Sequence, residues 1–216
     1  MNYLDLRTQI SGYLNRSDLS NEQLDVFIDN AEAEFNSIIR HRKMIKRVTA
    51  DIDSHFTRLP SDFLEATNLQ LNTNPAVLLR QASAETIDAT RIANGDVTGT
   101  PEFYAIIGDT LEVVPRPSGT MTLEISYYSK IPALDQTTTT NWLIEDYPNI
   151  YLYGAMKHGL IYLMDDERLP VIAGNLAVDL ERLNTEADRA SFSGNSLTMK
   201  RRIYGGRPRR RVVITG

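Results

Sequence analysis

The sequence predicts an α+β fold: a helical bundle built from both chain ends, with an inserted small antiparallel β domain and an extended basic C-terminal arm. Apolar residues recur at helical spacing near both ends of the 216-residue chain and alternate with polar residues in the middle. A basic segment follows the last helical pattern. We predict bundle parts at 1–46 and 141–195, the β domain at 47–140 and the arm at 196–216.

Two helices are predicted in the first part of the bundle. Asn2 can cap a helix that runs to Asn15, and Ser20 can form a capping box with Gln23 at the start of the second. The second helix has an apolar stripe of Leu24, Phe27, Ile28, Ala31, Phe35, Ile38 and Ile39. We expect its acidic residues on the other faces: Asp25, Asp29, Glu32 and Glu34.

A cationic cluster, Arg40 to Lys43, follows this stripe. Cations suit the C-terminal end of a helix because they complement its dipole. A phosphate-binding patch is the alternative interpretation, and we favour the charged helix end.

Alternation of period two predicts strands in the middle of the chain. The segments are 48–52, 56–59, 66–71, 77–79, 103–107, 111–114 and 121–128, with one short helix at 83–92. Gly108-Asp109 has the length and composition of a two-residue hairpin turn between two of these strands.

The last part of the chain predicts two further helices. Pro148 suits a first helical position, and residues 150–164 are apolar on nearly every side, as in a helix buried all round. Four charged residues at 165–168 interrupt the pattern. A last helix is predicted from Pro170 to about Ser191.

Charge is distributed unevenly along the chain. Residues 200–216 contain seven basic residues and no acid, whereas the rest contains 16 basic and 28 acidic residues, a balance of −12. An acidic body with a basic terminal segment is typical of a protein with an interaction tail.

Composition excludes several classes of protein. The chain has no cysteine, which rules out a disulfide scaffold, a cysteine zinc site, a thiol nucleophile and an iron–sulfur cluster. The most apolar stretch is shorter than the roughly 20 residues of a membrane span, and the N-terminus lacks the pattern of a signal peptide. We therefore expect no membrane partner.

The candidate chemical groups do not form a site in the sequence pattern. His41, His55 and His158 lie on separate predicted elements, without ligand spacing, so no metal site is expected. The adjacent acids 165–167 point apart on a turn and favour a solvated turn over an acid–base pair. Phosphate-loop, dinucleotide and nucleophile-elbow motifs are absent. The sequence predicts no catalytic residue, no cofactor and no enzyme.

The basic arm is the most informative segment. Val212 to Thr215 is apolar and β-prone, which is unusual for a tail that only confers solubility. Two kinds of partner fit: nucleic acid, with arginines on phosphates, or a protein that accepts the apolar end as an added strand while arginines meet its acids. Fully extended, 17 residues span at most about 56–61 Å.

Several stretches resemble the head-to-tail adaptor (connector) proteins of tailed bacteriophages. In chain order they are Leu24-Asp25-x-Phe27-Ile28-x-x-Ala31-Glu32, Leu59-Pro60-x-Asp62-Phe63-Leu64-Glu65, Gly99-x-Pro101-x-x-Tyr104-x-Ile106, Tyr127-Tyr128-x-Lys130-Ile131-Pro132-Ala133-Leu134, Asn141-Trp142-Leu143, Tyr151-Leu152-Tyr153-Gly154-Ala155 and Asp165-Asp166-Glu167-Arg168. They span roughly residues 24 to 168, and the likeness rests on their order.

The resemblance implies a structural protein of the virion, placed at the neck and assembled in the host cytoplasm. Such adaptors form a ring, usually a dodecamer, beneath the portal, with bundles side by side around a DNA ejection channel. The β domain meets the next tail component, which is a stopper, nozzle or tail tube. By analogy the portal-binding arm comprises Lys200, Arg201, Arg202, Tyr204, Arg207, Arg209, Arg210, Arg211, Val212, Val213 and Ile214.

DNA would then pass through the channel without sequence-specific binding, because an acidic wall repels phosphate. Two alternatives stay open at this point. One is a nucleic-acid-binding module that uses the basic arm. The other is an enzyme, such as a cell-wall hydrolase, that uses Asp165, Asp166 and Glu167.

Overall fold

The computed structural model describes residues 1–95 and 97–192 of the chain. Its helices are α1 (Tyr3–Leu14), α2 (Asn21–Ile38), α3 (Ala84–Asn94), α4 (Trp142–Asp146), α5 (Pro148–Leu163) and α6 (Leu169–Phe192). Its strands are β1 (Ile45–Ile52), β2 (Phe56–Arg58), β3 (Phe63–Leu71), β4 (Val77–Leu78), β5 (Arg80–Gln81), β6 (Thr98–Gly99), β7 (Phe103–Ile107), β8 (Thr110–Val114), β9 (Arg116–Pro117) and β10 (Met121–Ser129). The predicted α+β class is confirmed; the predicted arm lies outside the described residues.

Local signals begin the first two helices where the sequence predicts. Asn2 and Asp5 form a capping box on α1, and Ser20 and Gln23 form one on α2, so each box satisfies two backbone N–H groups at the start of its helix. α2 ends at Ile38, and a 3-10 turn (Arg42–Met44) then leads directly into β1.

The helices from both chain ends share one apolar core. Leu6, Ile28, Phe35 and Leu160 are fully buried in it. α2 and α5 approach so closely that a Cβ on Gly154 would lie 2.5 Å from the ring of Phe35. This contact requires glycine, because real Cβ atoms essentially never come so near another heavy atom.

The strands form two four-stranded sheets, ordered β1-β10-β3-β4 and β2-β8-β7-β5, and a two-stranded pair β6-β9. β7 and β8 are the predicted hairpin, and Gly108 takes a φ of +61° in its two-residue turn. β1 pairs with β10 along its whole length, from Ile45 opposite Tyr128 to Ile52 opposite Met121. We call residues 45–129, from the start of β1 to the end of β10, the β part. Its first and last strands are therefore neighbours.

The four edges of the two larger sheets differ in length. β2, β4 and β5 are two or three residues long, whereas β1 is an eight-residue edge strand. Along β1, Val48 and Ile52 pack in the apolar core, Ala50 between them is half-buried, and Thr49 and Asp51 are exposed. Within the described residues no strand pairs with the other side of β1.

Candidate assembly surfaces

The segment 130–141 connects β10 to α4, and two side chains of α2 hold its backbone. The Ile131 N–H donates to Asn36 Oδ1 at 2.8 Å, and the Leu134 N–H donates to Glu32 Oε1 at 2.8 Å. Residues 32 and 36 lie one turn apart on the same face of α2. One helix face therefore fixes the path of the chain from the β part back into the bundle.

Asn141 is the second anchor of this connection. Its Oδ1 accepts from the N–H groups of Leu143 and Ile144 and so caps α4. Its Nδ2 donates to the carbonyl of Pro132 and to the hydroxyl of Tyr151, both at 2.7 Å. The Tyr151 hydroxyl donates in turn to Glu32 Oε1 at 3.0 Å. We call Glu32, Asn36, Asn141 and Tyr151 the linker clasp.

The clasp places a carboxyl group in the interior. Glu32 is only 6% exposed, and burial raises its pKa to about 7 although the hydrogen bonds from Leu134 and Tyr151 oppose the shift. Burial, and then the charge of Glu32, raise the pKa of the Tyr151 hydroxyl. The linker clasp orients the backbone of segment 130–141 relative to the helices. Its hydrogen-bonding groups pair with one another and with that backbone.

The structure corrects one expectation at this point. The sequence pattern places Glu32 on a polar face, whereas the side chain lies in the core beside Tyr151. Its position one turn after Ile28 and beside Ala31 is a signal for burial, because such positions share the apolar face of the helix.

The cationic segment that follows α2 is engaged with carboxylates. Arg40 Nε lies 3.0 Å from Glu65 on β3, and Lys43 forms an ion pair with Asp146 at the end of α4. His41 is buried and stacks on Trp142, with ring centroids 5.1 Å apart. Burial, followed by the nearby cations, lowers the pKa of His41. These pairs argue against a phosphate patch. The segment follows α2 rather than lying in its last turn, and Arg40 Nη1 reaches back to donate to the Asn36 carbonyl at 2.9 Å.

The other candidate groups lie on separate elements of the fold. His158 Nε2, on α5, lies 3.4 Å from Glu34, and His55 lies in the β part beside a cavity of about 310 Å³ that Arg91 also lines. Asp165 accepts from the N–H of Arg168 in the turn before α6. In residues 1–95 and 97–192, no three histidine or acidic side chains are grouped as a metal site requires.

All eleven residues of the predicted portal-binding arm lie outside the described residues. The described chain ends with α6, which passes the 3-10 turn Arg42–Met44. Near the C-terminal end of α6, Glu186 accepts a hydrogen bond from the Tyr147 hydroxyl at 2.6 Å. The negative charge of Glu186 also partly offsets the lowering of the His41 pKa. The chain therefore leaves α6 on the side of the molecule where β1 begins.

A family model for the SU10 adaptor protein matches residues 1–202, which include every described residue. The chain belongs to the SU10 adaptor protein family. Among curated proteins, none matches it.

Membership of the SU10 adaptor family confirms the resemblance to phage head-to-tail adaptors and the class of structural virion protein. For an adaptor the relevant sites are contact surfaces. The structure provides three features that bear on them: the linker clasp, the open edge of β1 and the exit of α6. None of the helices in the described part of the chain is long and apolar enough to cross a bilayer.

Proposed function

We propose that this adaptor forms a dodecameric ring beneath the portal at the virion neck and joins the capsid to the tail around the DNA channel. The arm residues Lys200 to Ile214 dock the ring on the portal. The β part contacts the next tail component, a stopper, nozzle or tail tube. The ring assembles in the host cytoplasm and has no enzymatic role.

The family match over residues 1–202 is the observation that carries this proposal. The charge distribution supports it, since an arm with seven basic residues and no acid extends from a body with a balance of −12. Such an arm suits an acidic surface on a protein partner, and an acidic body suits a channel along which DNA moves without adhering.

The proposal includes a division of the chain into a bundle (1–46 and 141–195), an inserted β domain (47–140) and an arm (196–216). The separate apolar clusters of the helices and the strands support this division, and so does the pairing of β1 with β10 where the chain enters and leaves the β part. In this scheme the bundle makes the ring contacts and the linker clasp sets the position of the β domain.

Sedimentation velocity of the chain, alone and mixed with portal rings of the same phage, tests portal docking. We expect the chain to join the portal in a fixed ratio, and we expect the chain that ends at Ser196 to remain free. The full-length variant with Arg209, Arg210 and Arg211 changed to Glu should also remain free, because it reverses the charge of the arm. Portal binding by either altered chain would refute docking by the arm.

DNA binding by the arm is the second candidate function, and the seven cations of the arm favour it. A nucleic-acid-binding module predicts an affinity that falls steeply with salt and disappears on removal of residues 197–216. The adaptor proposal predicts weak DNA binding that loss of the arm scarcely changes. Adding duplex DNA to the same sedimentation experiment therefore distinguishes the two candidates.

A further inference from the structure

The open edge of β1 is a surface that the proposed docking on the portal does not use. An eight-residue edge strand leaves a row of backbone N–H and C=O groups ready to pair with another strand. Proteins normally keep such edges short or covered, as this chain does with β2, β4 and β5. Among the edges of the two larger sheets in the described residues, β1 is therefore the one with room for a further strand of several residues.

The charges beside β1 indicate what kind of strand fits. Lys46 and Arg47 are engaged by Asp62 at 2.5 Å and by Glu124 at 3.3 Å. Asp51 accepts a hydrogen bond from Thr122, and neither Asp51 nor Asp53 forms an ion pair within the described residues. β1 thus offers the carboxylate of Asp51, with that of Asp53 just beyond its end, and the half-buried apolar residues Val48 and Ala50 along its inner face.

We propose that, in the free chain, Arg209 to Thr215 of the arm adds to the chain's own β1 as an antiparallel strand. In the register that places Arg211 opposite Asp51, Arg209 lies opposite Asp53 on the outer face. Val212 and Ile214 then lie opposite Ala50 and Val48 on the inner face. This register sets arginines opposite acids on the outer face and Val212 and Ile214 opposite apolar residues on the inner face, because successive side chains of a strand alternate between faces. Arg210 falls opposite Ile52, the last residue of β1.

The geometry of the chain favours its own edge over that of another copy. α6 ends on the side where β1 begins, and residues 193–208 can span about 53–58 Å when extended. β1 itself is about 26 Å long. A tether of this length supplies an effective concentration in the millimolar range, which a second copy reaches only in concentrated solution.

This contact gives the arm a function before it meets any partner. It would cover an edge that otherwise invites association between copies, and it would hold the apolar end of the arm out of water. The proposal concerns the free chain and does not depend on docking to the portal, so the two can fail separately.

Disulfide trapping tests the pairing directly, because the chain has no cysteine of its own. The full-length variant A50C/V212C, and its neighbour T49C/V213C, put thiols on residues predicted to lie opposite each other. One of these pairs falls at the closer cross-strand spacing that a disulfide accepts. The control is L78C/V212C, which puts the first cysteine on β4 at the opposite edge of the same sheet, where Leu78 is exposed.

We expect an intramolecular disulfide to form at least about tenfold faster in one of the β1 variants than in the β4 control. Equal rates at the two edges would overturn the proposal. Mixing the single variants A50C and V212C should give little cross-linked dimer. A dimer that forms as fast as the intramolecular bond would assign the edge to a second copy and overturn pairing within one chain.

Hydrogen exchange provides a second test without cysteines. The full-length variant V212P/V213P removes backbone donors from the added strand, whereas S196P/L197P places the same number of prolines outside it. We expect faster amide exchange in β1 for the first variant only, with β10 unchanged in both. Unchanged exchange in β1 for V212P/V213P would refute the contact.

Discussion

The helical part and the β part of this adaptor bury their apolar residues in different ways. Within residues 1–95 and 97–192, the bundle shares one cluster of 24 buried apolar residues, whereas the β part, which includes α3, divides its own between clusters of 11 and three. The linker clasp lies inside the larger cluster. From this comparison we expect the bundle to be the more rigid part, and the β part, with fewer buried apolar residues per cluster, to open more readily.

Truncation of a core side chain in each part tests the difference between the two cores, and it should give the largest change in the free energy of unfolding. Phe35 is fully buried and meets Tyr151 edge-on at 5.3 Å, so we expect Phe35→Ala to lower the free energy of unfolding by about 3–5 kcal/mol. Leu111→Ala, in the smaller cluster, should cost about 2–3 kcal/mol because its neighbours can relax into the gap. Urea unfolding measures both. A larger loss for Leu111→Ala would reverse the comparison.

Removal of one helix cap in each part tests the same comparison with a smaller expected loss of stability. Asn141→Ala removes the cap of α4 and leaves the Pro132 carbonyl without the Nδ2 donor, so we expect a loss of about 2–4 kcal/mol. Ser83→Ala removes only the cap of α3, an exposed site, and should cost about 1 kcal/mol. Thermal unfolding followed by circular dichroism measures the two changes. Equal losses would show that the wider hydrogen bonding of Asn141 contributes nothing.

The buried carboxyl group of the clasp predicts a dependence on pH. The pKa of Glu32 is raised from 4.5 to about 7 in the fold, so folding favours its protonated form. That stability is fully present below pH 4.5 and is lost as the pH rises through 7. Relative to Glu32→Gln, the wild-type chain should lose on the order of 2–3 kcal/mol across this window.

Unfolding of both chains at pH 4.5, 6 and 8 measures this difference. Asp166→Asn removes an exposed acid from the turn before α6 and serves as the control. A stability difference between wild type and Glu32→Gln that is the same at all three values would contradict a buried titrating group.

The ion pair between the two parts should have the smallest effect. Arg40 and Glu65 join the end of α2 to β3, but the Glu65 side chain is 60% exposed. Glu65→Gln should therefore change the free energy of unfolding by less than about 1 kcal/mol, and added salt should reduce the effect further. A larger loss of stability that added salt does not reduce would show that this ion pair holds the two parts together as strongly as the linker clasp does.

Local signals explain how much of the fold the sequence predicts. Asn2, Ser20 and Ser83 begin helices, Pro148 occupies a first helical turn, and Gly108-Asp109 makes a hairpin. Each of these depends on residues within a few positions. The five-residue helix α4 is too short for a periodic pattern, so the sequence does not predict it.

The linker clasp could not be predicted in the same way, because its partners are distant in sequence. Glu32 meets the N–H of a residue 102 positions later and the hydroxyl of a residue 119 positions later. No spacing in the sequence encodes such pairs. The basic arm, by contrast, is visible in composition alone, and its portal contacts stay a prediction.

The pairing of Ile45 with Tyr128 has a consequence for how such a protein can change. The chain enters the β part along β1 and leaves it along β10, and these two strands are paired neighbours. An insert of different length or shape fits the same bundle provided that its ends meet at this spacing. Evolution can therefore exchange the part that faces one set of neighbours while the helices keep theirs, and a designer can graft at the same point.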